Sequence, residues 1–354
     1  MADERNWQFE LTEYIKQGEP ERAERSEAWK TAIGLQDVDG LKTSDYLLDT
    51  AKEHIEGKID IATVQKRVNN YYEQQGIRQS IENGTEEADK VAARITEILN
   101  EKTFHFSPAE YKMIHKRLFA DVFKHAGEIR TYNITKKEWL LKDDTVLYAS
   151  FESINDTLNY DFIVEKEFSY EGLSTIEAIK HIAKFTADIW QIHPFCEGNT
   201  RATAVFIIKY LKSFGFDVNN DLFSKNSWYF RNALVRANYN NVKNGVTATT
   251  KYLEMFFENL LLGKNNELKN RYLHIDFQSD IQSDNLTNQN VTLDELALLK
   301  LIAKNPSITQ IQLAEKMGVT DRTIKRKMKS LQEKGYIQRA NGKRNGHWEI
   351  LINI

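Results

Sequence analysis

The 354-residue sequence has one cysteine, Cys196, and four prolines. A single thiol excludes an intramolecular disulfide and any cysteine-based metal cluster. Scarce proline suits a mainly helical chain, because proline removes a backbone donor and clashes inside a helix. No run of about 18 or more apolar residues occurs, so no segment reads as a membrane-spanning helix. The first residues, Met1-Ala2-Asp3-Glu4-Arg5, are charged and lack the apolar stretch of a secretory leader, so the expected location is cytoplasmic. There is no Gly-x-x-x-x-Gly-Lys-(Ser/Thr) loop, which speaks against a P-loop NTPase. The histidines other than His193 show no spacing that implies a metal.

What is present describes a soluble globular protein, with 41% hydrophobic and 28% charged residues and length enough for two or three domains. The net charge of −3 conceals an asymmetry. Residues 291–354 hold 12 Lys and Arg against 6 Asp and Glu, a local charge of +6 on a body of −9. A basic C-terminal unit is thus joined to an acidic remainder.

The stretch richest in chemistry is Ile192-His193-Pro194-Phe195-Cys196-Glu197-Gly198-Asn199-Thr200-Arg201. Ile176, Ile179, Ala183, Thr186 and Trp190 recur at helical spacing before it, predicting a helix from Ser174 to Gln191 that His193 closes. Ala204, Val205, Ile207, Ile208 and Leu211 mark a buried helix after it, with Gly215 placed as a left-handed cap. A Gly-Asn pair at that second helix's N-terminus can turn N–H groups toward an anion, and the helix dipole adds to the attraction. Arg201 can fork onto phosphate oxygens, Glu197 beside phosphates can hold a divalent cation, and His193 can take a proton from a hydroxyl. Read singly, each residue is also an ordinary helix end or loop charge. Cys196 reads as a packing residue.

This stretch resembles the signature of the Fic family, His-x-Phe-x-(Asp/Glu)-Gly-Asn-Gly-Arg-x-x-Arg, and the resemblance spans roughly residues 86–262. It implies transfer of AMP from ATP to a hydroxyl side chain of a target protein. It further implies His193 as base, Glu197 on Mg²⁺, and Phe195, Gly198, Asn199, Thr200 and Arg201 around the phosphates. Two departures stand out: Thr200 replaces a glycine, and Ala204 replaces the second arginine. By the same resemblance Tyr229 and Asn238 are candidates for the nucleoside pocket. The segment from Gly127 to Ile134 leads into a β-hairpin flap, for which the alternation Glu138 to Tyr148 predicts a turn near Asp143. A target segment would dock on this flap, around residues 133–150.

Residues 1–80 read as a small helical domain. Within it, Ala32 to Leu41 is similar to the small antitoxins that accompany Fic proteins, in which a glutamate enters the nucleotide site. Asp39 takes that glutamate's place here, and Glu82 in Ser80-Ile81-Glu82-Asn83 is a second candidate. Either stretch also reads as a plain helix end. Residues 263–290 are polar and read as a linker, without apolar period from Gln278 onward.

Residues 291–354 follow the pattern of a winged helix-turn-helix. Thr309 caps a helix, Gly318-Val319-Thr320 makes the turn, and a helix from Asp321 to about Lys334 carries Arg322, Lys325, Arg326, Lys327 and Lys329 on its outer face. Gly335-Tyr336-Ile337 and Trp348-Glu349-Ile350 read as wing strands around a tip with Lys343 and Arg344. This resembles the winged-helix family and implies DNA as a partner, with a protein partner as the alternative. The expected fold is mainly α: a Fic-type core at 86–262 with a β-hairpin flap, a small helical domain at 1–80 and a winged helix at 291–354. The expected function is protein adenylylation with ATP and Mg²⁺. The alternatives are a DNA-binding regulator with a nucleotide-sensing core, or a Fic enzyme that uses another nucleotide or removes AMP.

Overall fold

The computed structural model describes residues 6–74, 84–216, 218, 222–277, 291–340 and 346–352. Four helices open the chain: α1 (Trp7–Lys16), α2 (Pro20–Gly34), α3 (Asp45–Ile55) and α4 (Ile61–Gln74). Their apolar positions, among them Trp29, Leu47, Ala51, Val64 and Val68, are buried in a core continuous with that of α5 (Thr85–Asn100). Asp89 on α5 fastens this junction. Its carboxylate accepts from the Ser44 N–H at 2.8 Å, the Ser44 hydroxyl at 2.5 Å and the Tyr72 hydroxyl at 2.7 Å.

The end of α2 passes close to α10 (Leu222–Ala237), and only glycine fits there. A Cβ on Gly34 would lie 2.3 Å from the Cα of Ser224. That close approach sets the following 3-10 turn, Leu35–Asp39, against α9 and α10.

The central body adds α6 (Pro108–Phe119), α7 (Ile154–Glu167), α8 (Thr175–Ile192), α9 (Asn199–Ser213) and α11 (Lys251–Leu262). Its helix starts follow local chemistry. Ser107 caps α6 by accepting from the Glu110 N–H at 3.1 Å, with Pro108 in the first turn. Ser174 and Glu177 form a reciprocal capping box on α8. The first 13 residues of α9, Asn199 through Leu211, are all buried, so this helix is the axis of the core. Each large apolar side chain buried on it or beside it, such as Phe206, Trp190 or Phe195, contributes about 2–3 kcal/mol.

Two sequence expectations change here. The predicted flap is not a strand ladder. A single antiparallel bridge joins Glu138 and Asp144, with a 3-10 turn at Trp139–Leu141 between them. Lys142 and Asp143 then adopt left-handed φ values of 57° and 62°, which end the extended run before a second rung forms. The first half of the expected linker is packed, not free: Leu273 is fully buried and the Ile275 N–H donates to Leu140 O at 3.1 Å.

At the C-terminus, α12 (Leu293–Lys304), α13 (Gln310–Met317) and α14 (Asp321–Glu333) precede β1 (Ile337–Ala340) and β2 (His347–Ile350). The strands pair antiparallel with Ile337 opposite Ile350. The unit touches the central body where Thr175 donates to Val291 O through its N–H at 3.1 Å and its hydroxyl at 2.6 Å. Among the described residues no helix is long and apolar enough to cross a membrane.

Candidate active site

His193 terminates α8 in a left-handed conformation, φ 48° and ψ 58°, and its side chain is buried. Its Nδ1 lies 3.2 Å from the carbonyl of Trp190. A carbonyl can only accept, so Nδ1 carries the proton and Nε2 keeps the basic lone pair. Tyr148 and Trp190 enclose the ring, with centroids 4.2 Å and 5.1 Å away. Burial holds the imidazole pKa well below its ordinary value, and the nearby charges of Lys136, Arg231 and Arg130 push the same way. The ring is therefore neutral at pH 7, the state a general base needs.

The turn after His193 is closed by Asn199. Its Oδ1 accepts from the Phe195 N–H at 3.0 Å, and its Nδ2 donates to Phe195 O at 2.8 Å. Phe195 consequently offers nothing to a phosphate: both of its backbone groups are engaged and its ring stacks on His115 at 3.6 Å. This corrects the expectation that it lines the phosphates.

His115 and Arg130 hold the turn from beneath, and sequence reasoning gave neither a role. The Gly127 N–H donates to His115 Nδ1 at 2.9 Å, so Nε2 is the protonated nitrogen and donates to Glu197 O at 2.9 Å. Burial pushes the His115 pKa down to about 4. Arg130 donates from Nε to His193 O at 2.8 Å, and its terminal nitrogens reach the carbonyls of Ile192, Tyr132 and Ala149. It fixes the backbone of the base through charge-assisted hydrogen bonds.

Gly198 begins α9 at φ 75°, and a Cβ there would strike the Phe119 ring at 2.3 Å. Having no side chain, it leaves the first turn of α9 without a side-chain cap. Thr200, in place of the family's glycine, puts its hydroxyl 3.0 Å from the indole nitrogen of Trp190, which donates to it. The extra side chain thus joins α9 to α8.

The Glu197 carboxylate is 58% exposed and pairs with Lys136 Nζ at 3.2 Å. Arg201 is only 2% exposed and already engaged. It donates to Gln36 Oε1 at 3.0 Å and Glu87 Oε1 at 2.5 Å, and its Nε lies 2.7 Å from Asp39 Oδ2 as an ion pair without hydrogen-bond alignment. The Phe119 ring covers its guanidinium at 4.8 Å.

The remaining candidates are dispersed. Tyr229 is buried with its hydroxyl donating to Tyr252 O, and Asn238 donates to Ala187 O and Leu234 O, so both serve helix packing. Glu82, Lys343 and Arg344 lie outside the described residues. Arg322, Lys325, Arg326 and Lys329 are exposed on α14, away from its buried Ile324, Met328 and Leu331. Lys327, on the same helix, pairs with Asp294.

The described residues thus define a helical domain built around a His-x-Phe-x-Glu-Gly-Asn turn, followed by a winged helix. Residues 105–211 match the Fic/DOC family model, and residues 295–338 match the winged helix-turn-helix DNA-binding model. The likeness to a Fic/DOC domain and to a winged helix-turn-helix domain is thus confined to these two stretches of the chain. It is similar to protein adenylyltransferase VbhT of Bartonella schoenbuchensis, 28% identical over 110 residues, covering 31% of this chain and 22% of that one. A probable protein adenylyltransferase, y4lH of Sinorhizobium fredii, is 28% identical over 112 residues, covering 31% of this chain and 55% of that one. The chain thus spans about a fifth and about half of these curated relatives. A solved Fic family protein from Desulfovibrio desulfuricans aligns over 99% of this chain and 97% of its own, with a TM-score of 0.47 and 12% identity.

Proposed function

We propose that the chain is a protein adenylyltransferase that moves AMP from ATP to a Tyr, Thr or Ser hydroxyl of a target protein. The observation that carries this reading is His193, a neutral imidazole whose Nδ1 proton is held by Trp190 O, beside a helix start that no side chain caps. The target hydroxyl gives its proton to Nε2 as its oxygen attacks the α-phosphorus, and pyrophosphate leaves in line. Glu197 suits Mg²⁺, which takes one or two carboxylates and fills its shell with phosphate oxygens and water. When bound, the ion would neutralise phosphate charge. The 133–150 loop presents the exposed Leu147 for target docking.

The same reading includes inhibition in cis. A guanidinium held by Asp39, Glu87 and Gln36 is not free to fork onto phosphate oxygens. The 1–80 region acts as the regulatory unit, and 291–354 addresses the enzyme to DNA. The exposed cationic face of α14 favours a second reading, a DNA-binding regulator whose core senses nucleotide. The test is incubation with α-labelled ATP and Mg²⁺, with a lysate as acceptor. Label that disappears in His193→Ala while DNA binding persists supports the transferase. DNA binding without label in any variant favours the regulator.

A further inference from the structure

The nucleotide turn is short of available positive charge. Ala204 stands where the family signature has an arginine, and it is fully buried. Arg201 is turned toward Asp39, Glu87 and Gln36. A triphosphate that leaves pyrophosphate behind needs cations near its β- and γ-phosphates, because charge builds there as the bond to the α-phosphorus breaks.

Of the other cations near the turn, Arg130 is tied to backbone carbonyls and Arg231 to Glu138, whereas Lys136 meets the exposed carboxylate. Lys136 Nζ lies 3.2 Å from Glu197 Oε2, with the lysine side chain 32% exposed and the glutamate 58% exposed. Its charge also acts on His193, as the strongest influence after burial. Lys136 therefore addresses both ends of the turn, the base and the carboxylate.

Its backbone is held in place. Upstream, Arg130 is tied to His193 O and Ile192 O. Downstream, the buried Glu138 carboxylate takes a two-pronged ion pair from Arg231 at 2.8 and 3.0 Å. Between these anchors the Lys136 N–H donates to Thr145 Oγ1 at 3.3 Å. A flexible ammonium on an anchored backbone can exchange one oxygen partner for another without moving the chain.

We propose that Lys136 is a phosphate-binding residue of the nucleotide site, leaving Glu197 to hold an oxygen of the β- or γ-phosphate. This rests on the adenylyl-transfer reading above. In the transfer step the hydroxyl oxygen bonds to the α-phosphorus and its proton passes to His193 Nε2. The bond to the bridging oxygen breaks, and the Lys136 ammonium stabilises the departing pyrophosphate. The exchange also frees the Glu197 carboxylate for a divalent cation. Lys136 thereby supplies the charge that Ala204 lacks.

The test uses the full chain carrying Asp39→Ala and Glu87→Ala, so that Arg201 is released. Calorimetric titration with ATP and with AMP, each with Mg²⁺, is compared for this parent, Lys136→Met and Lys136→Arg. Loss of one charge-assisted contact weakens ATP binding about tenfold or more. AMP binding stays unchanged, and Lys136→Arg retains most of the ATP affinity. Unchanged ATP affinity in Lys136→Met, or equal weakening for ATP and AMP, overturns the proposal.

A second readout is the pH profile of label transfer. Arg130, Arg231 and Tyr148 still face His193 in Lys136→Met, but one positive charge is gone, so the acid limb moves to higher pH. An unmoved limb contradicts the placement of Lys136 beside the base. A parent that transfers label while Lys136→Met binds ATP normally removes only this inference. A parent that neither binds ATP nor transfers label removes the adenylyl-transfer reading with it.

Discussion

Arg201 and the outer face of α14 both carry guanidinium groups suited to phosphate, yet they stand in opposite states. Arg201 is 2% exposed and enclosed by two carboxylates and an amide, while Arg322 and Arg326 are exposed and make no ion pair among the described residues. Residue type is the same; what differs is burial and the neighbouring acids. Phosphate-binding capacity is thus set by what else the fold brings to the charge. One surface is open to a polyanion, and the other is closed by side chains of its own chain.

The largest expected effect separates the two surfaces by chemistry. His193→Ala lowers label transfer by roughly 10²–10⁴-fold, the usual share of a general base, and leaves DNA affinity unchanged. Parallel label and gel-shift assays check this. A change in both would mean that the surfaces are not independent.

Acid separates them by stability. The folded-state pKa of His115 is depressed to about 4, so its contribution to stability is present above about 6.5 and is lost as pH falls toward 4. By pH 5 that loss is about 2 kcal/mol, and His193 adds to it in the same direction. Asp89 opposes them. Burial raises its pKa to about 6, so its contribution grows as pH falls through 6, by about 1 kcal/mol at pH 5. The histidines prevail. Hydrogen exchange at pH 7.5 and 5 should show α6, α8 and α9 losing protection before α12 to α14 do.

Substitutions on α14 probe the open surface. Arg322→Ala or Arg326→Ala should each weaken DNA binding several-fold and reduce the salt slope by about one. Salt-dependent fluorescence titration reads both quantities. Lys325→Ala should do less, about twofold, because Lys325 already pairs with Asp321 at 2.6 Å and that exposed pair contributes little.

The legible parts of the chain were those written locally. Caps at Ser107, Ser174 and Thr309 lie within three residues of their partners, so the starts of α6, α8 and α13 follow from the sequence. The His193 to Arg201 turn was legible for the same reason, as was the apolar period of α14. The partners of Arg201 were only partly legible. Asp39 was singled out by resemblance, but Gln36 and Glu87 reach it from 165 and 114 residues away. His115 acts through a ring stack and two backbone groups, none of which leaves a periodic signal. The flap was misjudged because alternation does not reveal the left-handed Lys142 and Asp143. Polar composition hid the packing of residues 270–275 around Leu273.

In the proposed reading the His193–Arg201 site is chemically competent and closed by Asp39 and Glu87. The most direct measurement is label transfer from α-labelled ATP by the Asp39→Ala, Glu87→Ala double variant beside the wild type, each with and without His193→Ala. At least about tenfold more label is expected in the double variant, the equivalent of about 1.4 kcal/mol of inhibition relieved, and roughly 10²–10⁴-fold less once His193 is replaced. Equal label in wild type and double variant would contradict the closure. No label in either would contradict the transferase itself.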